Sequence, residues 1–68
     1  MGRNGDMLTF EATFVKKTEK ELVAKIDGQF VRLPLSRIEV EEDLEDVRSG
    51  NTITVNIPEW IATDRQLI

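Results

Sequence analysis

Asp27-Gly28 stands between two runs of alternating apolar and polar residues, and no other feature restricts the fold of this chain so tightly. A two-residue connection between antiparallel strands needs positive φ, which Gly accepts without steric cost. Before the pair, Leu22, Ala24 and Ile26 fall on one face of a strand. After it, Phe30–Leu33 reads as the returning strand. The expectation is a tight hairpin.

The alternation continues upstream. Leu8, Phe10, Ala12 and Phe14 take one face of a strand over Leu8–Val15, and Thr9, Glu11 and Thr13 take the other. Residues 16–20 (KKTEK) form a polar connection of hairpin length, so three strands make a meander that Pro34 ends, having no N–H for a ladder. Thr52–Ile57 (TITVNI) is the clearest strand in the chain, with Ile53, Val55 and Ile57 inward. The expected buried set is Phe10, Phe14, Leu22, Ile26, Val31, Leu33, Ile53 and Val55.

Between these strands the pattern changes. Ser36 and Glu39 have the spacing of a capping box, and Val40, Leu44 and Val47 follow at i, i+4, i+7. Acids at the start, Arg48 near the end and Gly50 as a stop suit a short helix within residues 39–48. After Pro58, residues 59–68 (EWIATDRQLI) read as a helix or a final strand, with the helix favoured. Trp60 is expected to pack on the body of the fold, leaving Leu67 and Ile68 more exposed. The order of elements points to a mainly β fold, a small barrel of OB or SH3-like type with four to five strands. Closure would remove exposed sheet edges.

Sixty-eight residues allow one small domain, here 7–68, preceded by a polar stretch, Met1–Asp6, that reads as a flexible leader. Met7 offers a second start. There is no Cys and no His, which removes disulfides, thiolate metal sites and the commonest general base. Neither a cofactor nor a metal is expected, and the chain does not read as an enzyme. No apolar run approaches the ~18 residues of a membrane span, and no secretory signal is visible. A cytoplasmic protein is expected.

Charge is unevenly spread within a net −4. Residues 1–35 carry six basic and five acidic side chains, and residues 36–68 carry three and eight. The basic group is Lys16, Lys17, Lys20, Lys25 and Arg32. With Phe30 available to stack on a base, it offers a groove for a single-stranded nucleic acid. Plain solubility explains the same charges, since Lys blunts sheet edges. The acidic group is Glu41, Glu42, Asp43, Glu45 and Asp46. Its acids lack the alternation and the turn Gly of a calcium loop, so it reads as a solvated face or as a surface for a basic protein partner. Trp60, Leu67 and Ile68 are the candidate apolar contacts of such a partner or of a homodimer.

Two resemblances attach to these residues. The stretch FVKKTEKELVAKIDGQFVRLPLSRIEV, with DLEDVRSGNTITVNI after it, resembles the OB-fold RNA-binding repeat of a large bacterial ribosomal protein. Pro34, Ser36, Ile38, Gly50 and Ile53–Ile57 carry that likeness in order. The exposed aromatics usual on the second and third strands of that repeat are replaced here by Leu22, Val23 and Lys25, with Phe30 alone retained. The segment from Lys16 to Val40 is also similar to short bacterial and phage-borne proteins of unassigned function, a likeness that implies a mobile-element or accessory origin and names no activity. The sequence reading is a non-catalytic module that binds a protein partner in a regulatory or accessory role, as monomer or homodimer. The alternative is weak binding of single-stranded nucleic acid.

Overall fold

The computed structural model describes residues 7–68, so the leader expected over Met1–Asp6 lies outside the described residues. Five strands form one antiparallel sheet: β1 (Met7–Lys17), β2 (Glu21–Ile26), β3 (Gln29–Pro34), β4 (Glu39–Val40) and β5 (Thr52–Pro58). Their spatial order is β3-β2-β1-β5-β4. The fold is mainly β, as expected. The sheet is not closed into a barrel: β3 and β4 are its two ends.

The Asp27-Gly28 turn forms as the sequence dictates. Both residues have positive φ, 52° and 82°, which matches the twist of the strands they join. Thr18 shapes the preceding turn, its hydroxyl accepting the Glu21 N–H at 3.1 Å. Strand β1 serves both wings of the sheet. Its residues 7–13 pair with β5, from Met7↔Pro58 to Thr13↔Thr52. Its end pairs with β2, and the register slips between Phe14 and Lys16. Val15 is the extra residue of a β-bulge.

The period-2 pattern puts one face of every long strand into the core. Ala12, Phe14, Leu22, Ala24, Ile26, Val31, Leu33, Ile53, Val55 and Ile57 are all buried, and Phe10 is half-buried against them. At about 25 cal/mol per Å² of apolar surface, this packing is the main source of stability in a chain without disulfides.

The segment after Pro34 corrects the sequence reading. Leu35–Arg37 is a single 3-10 turn with no side-chain cap bond, so the Ser36–Glu39 capping box does not form. No helix occupies residues 39–48. Glu39 and Val40 pair instead with Asn56 and Val55 as β4, and turns and bends follow to Gly50. The apolar residues Val40, Leu44 and Val47 still pack against the core. Short-range bonds from the acids outcompete a helix of barely three turns. Asp43 Oδ1 accepts the Glu45 N–H at 3.0 Å, and the Asp43 carbonyl accepts the Asp46 N–H at 2.9 Å.

The tail is a helix, α1 (Glu59–Asp64), which buries Ile61 and Ala62. Trp60 does not pack on the sheet: it is 62% exposed. Leu67, expected outside, is only 8% exposed, while Ile68 is 64% exposed as expected. The cap of α1 is the reason. Gln66 has φ 62°, its N–H donates to the Thr63 carbonyl at 3.0 Å, and the Leu67 N–H donates to the Ala62 carbonyl at 2.8 Å. This is a Schellman motif, which turns the residue after the left-handed position back under the helix. Leu67 is that residue.

Candidate functional site

The outer face of the β1–β2–β3 wing gathers the basic residues into two cross-strand rows. In the first, Thr13 pairs with Lys25 and Lys25 with Phe30. In the second, Lys16 pairs with Val23 and Val23 with Arg32. Directly paired residues share a face of the sheet. Lys16, Lys25, Phe30 and Arg32 are all exposed, while Thr13 and Val23 are half-buried between them. Strands lie about 4.8 Å apart, so Lys16 and Arg32 stand roughly 10 Å from each other across Val23.

The bulge at Val15 makes this arrangement. In an unbroken strand the even-numbered residues Leu8 to Phe14 all face the core, and Lys16 would follow them inward. The slipped register places Lys16 beside the outward Val23 instead.

Phe30 stands at the β3 edge of the face. The residue is 68% exposed, and the Lys25 ammonium lies 5.4 Å from the ring centroid. That cation–π contact occupies one side of the ring, and the residue remains largely exposed. Lys25, in the ring's own row, and Arg32, in the next row, are diagonal neighbours, as their spacing about the turn predicted. No carboxylate falls in the two rows. Glu21, opposite Pro34, stands one row beyond on one side, and Glu11, opposite Thr54, on the other.

Two of the sequence-predicted basic residues lie apart from this face. Lys17 pairs with Leu22 and meets Glu45 at 3.6 Å. Lys20 lies in the turn before β2 and lines a shallow groove with Glu19, Glu21, Pro34, Leu35 and Ser36. Its carbonyl accepts the Leu35 N–H at 2.8 Å.

The acidic candidates are bound into the structure. Glu41 Oε2 accepts from Asn56 Nδ2 at 3.3 Å, Glu42 Oε1 accepts the Thr54 N–H at 2.8 Å, and Asp43 and Glu45 make the contacts given above. Asp46 contributes its backbone alone to these bonds. Among the described residues, no group of three or more acids converges as a cation site. Trp60 and Ile68 are exposed, and Leu67 belongs to the core.

Two features of the site were not read from the sequence. Val23 forms the apolar floor between Lys16 and Arg32, and Thr13 supplies a hydroxyl beside Lys25. Their outward positions were legible in the alternation, but neither carries a charge or a ring to single it out.

Comparison with protein families, curated proteins and solved structures finds no match to this chain. The likenesses read from residues 14–57 therefore rest on those residues alone. No helix among the described residues is long and apolar enough to cross a membrane.

Proposed function

We propose that this chain is a non-catalytic binding module, and that the outer face of β1, β2 and β3 binds single-stranded nucleic acid. One observation carries the reading: an exposed Phe30 has Lys25 beside it in its own row and Arg32 in the next, with Lys16 at the far end of that second row, and neither row holds a carboxylate. An aromatic ring takes a base on its open side, and the cations take the flanking phosphates. The face lacks donors fixed by further hydrogen bonds, so it suits a sequence-tolerant contact of a few nucleotides. With a net charge of −4, attraction is local to this face and binding is weak.

Catalysis has no support in the residues present, for the chain contains neither His nor Cys. The acidic segment favours a basic protein partner less than its composition suggests, since four of its five acids already serve backbone or side-chain contacts. A protein partner docking on Trp60 is the second reading, favoured by the 62% exposure of that ring.

Titration of a labelled poly-pyrimidine strand at low salt tests the first reading. Three phosphate contacts on a single strand predict a log–log salt slope of about −2. Phe30→Ala should weaken binding by about 1–3 kcal/mol without unfolding the chain. The double variant Lys25→Glu, Arg32→Glu should abolish it. Absence of binding by the wild-type protein at high micromolar concentration sinks the nucleic-acid reading and leaves the partner at Trp60.

A further inference from the structure

Strand β3 ends the sheet, and its register shows which backbone groups face outward. The Leu35 N–H bonds to the Lys20 carbonyl, so the hydrogen-bonded positions of this ladder continue through Leu22/Leu33, Ala24/Val31 and Ile26/Gln29. Phe30, Arg32 and Pro34 therefore direct their backbone groups away from β2. Pro34 has no N–H to offer. The Arg32 carbonyl is occupied: Arg65 Nε donates to it at 2.9 Å. Among the described residues, the N–H and carbonyl of Phe30 and the N–H of Arg32 have no hydrogen-bond partner on that side.

An edge of this kind is a template for another strand. A second copy of β3 fits it with unusual economy. A two-fold axis through Val31 sets Phe30 of one copy opposite Arg32 of the other, twice. Antiparallel pairing in that register uses the N–H and carbonyl of both residues in both copies. It also lays each guanidinium beside the phenyl ring of the facing copy, on the side that Lys25 leaves open. Pro34 and the Asp27-Gly28 turn limit the ladder to this short stretch.

We infer that Arg65 guards this edge, holding the Arg32 carbonyl so that β3 does not pair with β3 of a second copy. The tail is built to keep the guard in place. Asp64 contacts the Arg65 guanidinium, and the Schellman bonds beyond Ala62 fix the backbone on either side of it. This inference concerns the backbone edge and does not depend on what the outer face binds.

Sedimentation of the full chain tests it. The wild-type protein should be monomeric, and Arg65→Ala should associate at least about tenfold more tightly, as a discrete dimer. The backbone bonds of the cap do not need the Arg65 side chain, so circular dichroism should report an unchanged fold. Adding Phe30→Lys, which sets like charges opposite each other across the two-fold axis, should return the Arg65→Ala protein to a monomer. A folded Arg65→Ala chain that sediments like the wild type overturns the inference. A dimer that survives Phe30→Lys also overturns it, by placing the interface elsewhere.

Discussion

The carboxylate of Glu42 accepts the N–H of Thr54 at 2.8 Å, in the place where a backbone carbonyl of β4 would otherwise stand. The Glu41 N–H donates to the Thr54 carbonyl at 3.0 Å, so the ladder beside β5 is continued by one backbone bond and closed by a side chain. Strand β4 can be two residues long because Glu42 finishes its work.

Glu42→Ala should therefore destabilise the chain by about 1 kcal/mol, the net worth of one hydrogen bond at an accessible site. Glu42→Gln keeps an acceptor oxygen and should recover most of the loss. Urea unfolding of the two variants checks this. Equal losses would mean that the charge, and not the acceptor, matters.

Gln66 holds a left-handed conformation that Gly adopts more easily. Gln66→Gly should raise stability by roughly 0.5–1 kcal/mol. Gln66→Val, whose branched side chain resists positive φ, should lower it by at least as much. Thermal melts of the pair would show opposite shifts, and a destabilised Gln66→Gly would contradict the cap.

Trp60 and Ile61 are adjacent on α1 and should behave as opposites. Trp60 emission should be solvent-like and readily quenched by acrylamide, and Trp60→Ala should cost little stability. Ile61→Ala empties a buried position and should cost about 2–5 kcal/mol. A blue-shifted, protected Trp60 in the monomer would contradict the observed orientation of α1.

Val55 lies at the centre of β5 and is fully buried. Val55→Asp places a carboxylate there with no partner, a cost of several kcal/mol against a small margin. Loss of the folded circular dichroism signal is expected, and an unchanged melt would refute the strand register.

The strands were legible because their period of two survives wherever one face is buried. Leu22–Ile26 and Thr52–Ile57 are placed as their alternation requires, and Asp27-Gly28 makes the turn its chemistry allows. Val40, Leu44 and Val47 misled because three apolar residues over two turns satisfy a helix and a core-hugging loop equally. Local bonds from Asp43 and the open edge of β5 decide between them, and neither is visible in a hydrophobic pattern. The Trp60 and Leu67 orientations were inverted for a similar reason. The inward turn of Leu67 depends on a cap at Gln66, where no Gly signals it, and Trp60 faces solvent because Ile61 and Ala62 take the buried side of α1. In the candidate site, Lys25, Phe30 and Arg32 follow from alternation alone. Lys16 belongs with them through a bulge at Val15 that strict alternation would deny.

The divided pairing of β1 has a kinetic consequence. The hairpin of β2 and β3 joins near neighbours in the chain, whereas the β1–β5 ladder joins residues as distant as Met7 and Pro58. The entropy of closing that loop is spent before its contacts return anything. The meander from β1 to β3 is thus the part able to form early. The arrival of β5 is the slow event, made slower by an intervening segment with only two residues of strand. A nascent chain displays its β1 edge, and the apolar face behind it, until residue 52 and beyond have emerged.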